Sequence, residues 1–172
     1  LGSGFIYTTD MMSDPQFVTL AARIFAKHFA AIDADVVVTV ETKGIGVAMM
    51  TARFLNIPLV VVRREAKVSE GSTISINYFS GSADRIQKMS LSKRAIKPGT
   101  RAVIIDDFMR GGGSVKGMED MLSEFDAKAA GVGVIIVAGK NDKKKIGSYF
   151  PIFIYDDSSD ETITYVNPEL LI

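Results

Sequence analysis

The chain contains no cysteine and a single histidine, His28. Without these residues a zinc site, thiol chemistry or a Ser-His nucleophile is essentially closed off. The lack of cysteine also fits a cytoplasmic protein. No charge of either sign dominates, with 20 Lys plus Arg against 20 Asp plus Glu. No global positive field therefore draws nucleic acid in, and any DNA binding would need a local patch or a missing segment. No apolar run approaches the roughly 18 residues that span a bilayer, so no membrane partner is expected. Neither a signal peptide nor a repeat is visible. The chain opens on Leu1-Gly-Ser-Gly without methionine, almost directly on a strand-like Phe5-Ile-Tyr. It is therefore expected to be a piece of a longer protein.

What is present reads as one globular domain over residues 1–172: 47% hydrophobic and 23% charged residues suffice for a proper core. The informative stretch is 102–118. Ala102 to Ile105 is an unbroken apolar run behind Pro98 and Gly99, as expected of a strand buried on both faces. Val115, Met118, Leu122 and Phe125 then recur at helical spacing, which predicts a helix from about Ser114. Between them Phe108-Met-Arg-Gly-Gly-Gly113 forms a glycine-rich turn. Glycines admit close backbone approach and a helix N-terminus leaves N–H donors unpaired, so the device suits an anion, most often phosphate. Asp106 and Asp107 would repel a bare phosphate. They suit a ligand that also brings hydroxyls or a Mg²⁺ ion. A ribose carrying a phosphate satisfies both halves; a plain turn is the alternative. Neither a Walker A loop nor a Gly-x-Gly-x-x-Gly fits.

The remaining chain repeats the strand, turn, helix alternation. Asp14 and Pro15 start a helix whose stripe runs from Phe17 to Ile32 and includes His28, read as a packed or half-buried histidine. Val36–Val40 is a buried strand ending in Glu41-Thr-Lys-Gly-Ile-Gly46, and a helix follows. In an open α/β sheet, ligands sit outside the carboxyl ends of strands, so Lys43 and Gly44 should face the same crevice as Asp106. Leu59–Val62 is a third strand, running into the charged end Arg63-Arg-Glu-Ala-Lys67. Alternation across Ile74, Ile76 and Tyr78, with a turn at 80–84 leading to Ile86–Leu91, predicts a hairpin exposed on at least one face. It interrupts the alternation as a flexible flap would. Gly131–Val137 and Ile152–Tyr155 are further buried strands. Ile163 to Val166 is a candidate edge, and Lys140–Lys145 a solvated loop.

Val103-Ile-Ile-Asp-Asp-Phe-Met-Arg-Gly-Gly-Gly-Ser114 resembles the phosphoribosyl-pyrophosphate (PRPP) loop of type I phosphoribosyltransferases. The resemblance implies an α/β fold with a central, mostly parallel sheet flanked by helices, and a hairpin flap. It implies that Asp106 and Asp107 hold ribose hydroxyls, with Mg²⁺ accompanying PRPP. It further implies that Phe108, Met109, Arg110, Gly111, Gly112, Gly113 and Ser114 cradle the 5′-phosphate. Thr42-Lys43-Gly44 falls where that family places its pyrophosphate loop. A narrower likeness lies in Ser69–Tyr78, Arg85–Arg94 and Asp106-Asp-Phe-Met109, which look like the effector domain of the Gram-positive purine operon repressor. That domain senses PRPP without turnover and releases an attached N-terminal winged-helix domain from purine-operon DNA. This DNA-binding domain has no counterpart in the chain. The repressor usually shows Lys-Ala-Gly-Gly-Thr where this chain has Arg110-Gly-Gly-Gly-Ser114; charge and hydroxyl survive both changes.

The resemblance also implies a homodimer and competition by guanosine tetraphosphate. Arg63 and Lys67 at the crevice edge are candidates to meet the latter's second pyrophosphate. The alternative is an active purine phosphoribosyltransferase, whose chemistry needs positioning and charge stabilisation more than acid–base groups. Such an enzyme needs a base pocket, for which Phe153, Tyr155 and Asp156 are the candidates.

Overall fold

The computed structural model describes residues 8–65, 71–80, 85–139, 147–156 and 162–165. A short helix α1 (Thr9–Ser13) leads into α2 (Pro15–Phe29). The chain continues with β1 (Val36–Val40), α3 (Ile45–Leu55) and β2 (Leu59–Val62). Strands β3 (Thr73–Ser80) and β4 (Arg85–Ser92) follow, then β5 (Arg101–Met109) and α4 (Gly113–Ser123). Strands β6 (Lys128–Ala138), β7 (Phe150–Asp156) and β8 (Thr162–Tyr165) complete it. Six strands form one sheet in the order β2-β1-β5-β6-β7-β8, and β3 and β4 form a separate antiparallel pair. The first five strands of the large sheet are parallel, and β8 closes its edge antiparallel to β7.

The apolar runs become central strands because both sheet faces are covered. Side chains alternate along a strand, so one run serves two cores. Ala102 and Ile104 of β5 pack with α4, Tyr78, Met89 and Leu91 on one side. Val103 and Ile105 pack with α2 and α3 on the other. Asp14 caps α2, accepting from the Gln16 and Phe17 N–H groups, with Pro15 in the first turn. The rings of Phe25 and Phe29 reach the sheet because β6 offers glycine on that face. A Cβ at Gly131 would lie 2.7 Å from Phe29, and one at Gly133 would lie 2.8 Å from Phe25.

The hairpin is present, with Ser75, Asn77 and Lys88 on its exposed face. Its other face is docked rather than free. Tyr78, Met89 and Leu91 are buried, and α4 receives them at Gly117, where a Cβ would meet both Met89 Sδ and Tyr78 Cβ at 3.0 Å. Gly117→Val is therefore expected to cost about 1–3 kcal/mol by overpacking. Protease cleavage within the hairpin should accelerate with it; unchanged melting and cleavage would count against this docking.

Some expectations hold and others are revised. The candidate edge is present as β8, the sixth strand of the large sheet, but β5 extends through Asp106 to Met109 instead of ending at Ile105. The helix α1 has no sequence signal of its own. His28 is packed as expected, its ring stacked on Phe150 with centroids 3.7 Å apart, although its outer side stays open to solvent; the burial it has lowers its pKa. The strand expected at Phe5 to Thr8 lies outside the described residues except for Thr8, as do Lys67, the turn from 81 to 84, the lysine-rich loop and Val166. No helix among the described residues is long and apolar enough to cross a membrane.

Candidate ligand site at the carboxyl ends of β1 and β5

Strands β1 and β5 are neighbours, with Val36, Val37 and Val38 level with Ala102, Val103 and Ile104. From β1 the sheet grows outward to β2 in one direction and through β5 to β6 in the other. Loops leaving β1 and β5 therefore diverge and leave a crevice between them, the usual ligand position in such sheets. The turn after β1 carries Thr42, Lys43 and Gly44, and the Glu41–Thr42 peptide is cis. The end of β5 carries Asp106 and Asp107.

These two segments touch. A methyl group on Gly44 would lie 2.8 Å from Thr39 Oγ1 and 3.4 Å from Asp106 Oδ1. Because Gly44 has an ordinary negative φ, close approach rather than backbone conformation is what calls for glycine there. Thr39 Oγ1, beneath this contact, is buried with no hydrogen-bond partner among the described residues.

Asp106 is 5% exposed, since it belongs to the strand and not to the turn. Burial, and next the charge of Asp107, push its carboxyl well above the usual carboxylate range; the Asp107 N–H, and after it the charge of Arg64, oppose this. The Asp107 N–H donates to Asp106 Oδ1 at 3.0 Å. Asp107 itself is half-buried and accepts at Oδ2 from the Thr8 hydroxyl at 3.2 Å, and Lys43 Nζ donates to the same hydroxyl at 3.3 Å.

Phe108 and Met109 complete β5 on opposite faces. Phe108 packs half-buried toward α2 and α3, while Met109 is fully buried toward α4. Only the backbone of Met109 is thus offered to a ligand. The glycine turn is then short. Gly112 takes φ +75°, the left-handed conformation glycine tolerates, and precedes α4 with no side-chain cap. The first-turn N–H groups of Gly113, Ser114 and Val115 have no intrahelical partner. They border a shallow pocket lined by Asp106 and Phe108 to Val115. Arg110 is exposed at its rim.

Arg63 is brought to the same end of the sheet, where its guanidinium pairs with Glu41 Oε1 at 2.7 Å. Much of its charge is therefore answered within the protein. Its neighbour Arg64 was not singled out in the sequence, yet it reaches further. Arg64 Nε donates to the Glu41 carbonyl at 3.0 Å and its Nη1 to Gln87 Oε1 at 2.7 Å, joining the crevice to the hairpin. Both arginines follow the end of β2 and both reach Glu41, so the charged run Arg63-Arg-Glu at a strand's carboxyl end is the signal that would have flagged Arg64 as well. Thr8 and Thr39 carried no signal at all.

Among the described residues no three His, Asp or Glu side chains gather as a metal centre. Asp106 and Asp107 are two carboxylates, a donor set that fits a hard cation completing its shell with a ligand's oxygens and water.

The phosphoribosyl transferase domain family matches residues 8–164. The purine biosynthesis transcriptional repressor of Bacillus subtilis is 47% identical over 88% of this chain and 53% of its own. The purine biosynthesis transcriptional activator of Lactococcus lactis subsp. lactis is 39% identical over 91% of this chain and 58% of its own. The chain thus spans about half the length of these curated relatives. Xanthine phosphoribosyltransferase of Oenococcus oeni is 32% identical over 79% of this chain and 68% of its own. Among solved structures, adenine phosphoribosyltransferase of Thermoanaerobacter pseudethanolicus superposes with a TM-score of 0.76, covering 88% of both chains at 18% identity. The glycine turn and acid pair at the sheet's switch point thus lie within a matching domain, and this chain belongs to the phosphoribosyl transferase domain family.

Proposed function

We propose that this chain is the ligand-sensing domain of a purine-biosynthesis transcriptional regulator, binding PRPP without transferring its ribosyl group. The observation that carries this reading is the pairing of Asp106 and Asp107 with the uncapped glycine start of α4, in a chain 47% identical to a purine repressor. The acids accept from ribose hydroxyls or a hydrated Mg²⁺ that arrives with PRPP, and the N–H groups after Gly112 take the 5′-phosphate. Lys43 and the Thr42–Gly44 turn meet the pyrophosphate. DNA contact belongs to a part of the regulator that this chain does not contain, and the regulator works as a homodimer. Guanosine tetraphosphate enters the same crevice and competes with PRPP; Arg64, which bridges the Glu41 carbonyl and Gln87, is the cation at its edge, whereas Arg63 is already paired with Glu41.

The side chains considered for a base pocket support sensing over turnover. Tyr155 is buried with α2 and α3, and Phe153 stacks on Phe17 with ring centroids 6.5 Å apart. Tyr155 is committed to the core and Phe153 is half-buried against it, while Asp156 alone of the three candidates is exposed, at the end of β7. A sensor needs only to hold its ground-state ligand, whereas an enzyme must favour the transition state. The competing reading, a purine phosphoribosyltransferase, draws on the 32% identity to a xanthine enzyme.

Incubation with PRPP, Mg²⁺ and adenine, guanine, hypoxanthine or xanthine separates the two. Calorimetric binding with no nucleotide or pyrophosphate formed is expected. Steady turnover near about 1 s⁻¹ or above with any base overturns the sensor reading. Simultaneous binding of PRPP and guanosine tetraphosphate would refute the shared crevice.

A further inference from the structure

Thr8 lies at the beginning of the described chain, yet it is only 3% exposed. Its hydroxyl stands between the end of β5 and the turn after β1, donating to Asp107 and accepting from Lys43. It is also the N-cap residue of α1, where a threonine ordinarily turns its hydroxyl onto an N–H of the first helical turn. Here the side chain makes no such cap. The hydroxyl is diverted from its own helix to the crevice.

We propose that Thr8 is a positioning residue that couples α1 to occupancy of the ligand site. In the free protein it ties α1 to Lys43 and Asp107, and a ligand that takes those two groups releases α1. The ligand's identity rests on the PRPP reading above; the tie in the free protein does not.

The rest of α1 makes the tie consequential. None of Thr9 to Ser13 is fully buried; Met11 and Met12 lie half-buried against the α2 and α3 core. With no residue of Thr9–Ser13 fully buried, the buried polar contact at Thr8 holds this helix beside the half-buried Met11 and Met12. Asp14 follows with ψ of 114°, an extended break, and its carboxylate caps α2 independently. Motion of α1 can therefore end at Asp14 without unravelling α2. Both partners of Thr8 are the kind a phosphorylated sugar claims, the ammonium for an anionic oxygen and the carboxylate for a hydroxyl or hydrated cation. Binding then competes with closure of α1, and by reciprocity closure of α1 lowers affinity by the same factor.

Amide hydrogen exchange across Asp10–Asp14, with and without PRPP and Mg²⁺, reads this coupling, while calorimetry reports binding separately. In the wild type, PRPP should speed exchange in α1. Thr8→Val should show fast exchange already in the free protein, no further change with ligand, and PRPP affinity raised about fivefold, the low end of usual coupling. Thr8→Ser, which keeps the hydroxyl, should restore the wild-type pattern. If PRPP binds and α1 exchange is unchanged or slowed, the coupling is refuted and the sensor reading stands. If PRPP does not bind, the sensor reading falls, and the tie is judged in the free protein by Lys43→Met. That variant must speed α1 exchange as Thr8→Val does, and unchanged protection overturns the proposal.

Discussion

Asp107→Asn should weaken PRPP binding by roughly 10- to 100-fold, because a charge-assisted hydrogen bond to a ribose hydroxyl or hydrated Mg²⁺ contributes about 1.5–3 kcal/mol. Lys97→Ala, at the opposite end of the sheet beside the start of β5, should leave affinity unchanged. Asp106→Asn should lose affinity similarly but behave differently without ligand. Burial and the adjacent Asp107 raise the Asp106 pKa in the folded chain. A carboxyl raised on folding adds stability that is full below its unfolded value and is lost as pH rises through the folded value. The free wild type should therefore lose stability relative to Asp106→Asn as pH climbs above the ordinary carboxylate range. The asparagine amide still accepts from the Asp107 N–H, so the variant should melt higher than wild type at neutral pH, with the gap closing toward pH 4. Equal affinities for all four proteins would sink the site. A gap that widens in acid would sink the account of Asp106.

Gly133→Val should be among the most damaging single changes in the chain. Its first added carbon would lie 2.8 Å from Phe25 Cδ1 and 2.9 Å from Ile105 Cδ1, with a second Phe25 ring atom at 2.9 Å. Phe25 is fully buried and hemmed in by Phe29 and Phe150, with ring centroids 6.4 and 6.2 Å away. Its ring has no room to swing aside, so α2 must lift from β6. The cost should reach about 3 kcal/mol, the upper end for overpacking. That corresponds to a fall in Tm of roughly 6–12 °C for a domain of this size. Gly139→Ala tests the opposite case of a glycine with positive φ (+76°), where the penalty comes from backbone conformation instead. If Gly133→Val melts within a degree or two of wild type, α2 does not sit on β6 as described.

The sequence by itself determined what local periodicity and composition can specify. Runs such as Val36–Val40 and Ala102–Ile105 announce strands covered on both faces, since no alternation is needed when both sides are buried. Leu59–Val62 reads the same way yet lies at the sheet edge, with Leu59, Val60 and Val61 only half-buried. The Asp-Asp-Phe-Met-Arg-Gly-Gly-Gly stretch announces its chemistry because donors and acceptors for a phosphorylated sugar sit within eight consecutive residues. Alternation in 74–79 and 86–91 announces the hairpin, though not that Gly117 lets α4 hold one face of it.

Tertiary structure decided what depends on strand order and on contacts between distant segments. Asp106 reads in sequence as half of an exposed acid pair; placing β5 beside β1 buries it near Gly44 and turns its carboxyl toward the protonated form. Arg63 reads as a cation for a ligand; parallel pairing of β2 with β1 brings it to Glu41, which neutralises it. Thr8 meets Asp107 across 99 residues and Lys43 across 35, distances over which no periodic pattern carries information. Hydrophobic burial selects the sheet order, and that order sets which polar groups share one crevice and whose charge each must answer.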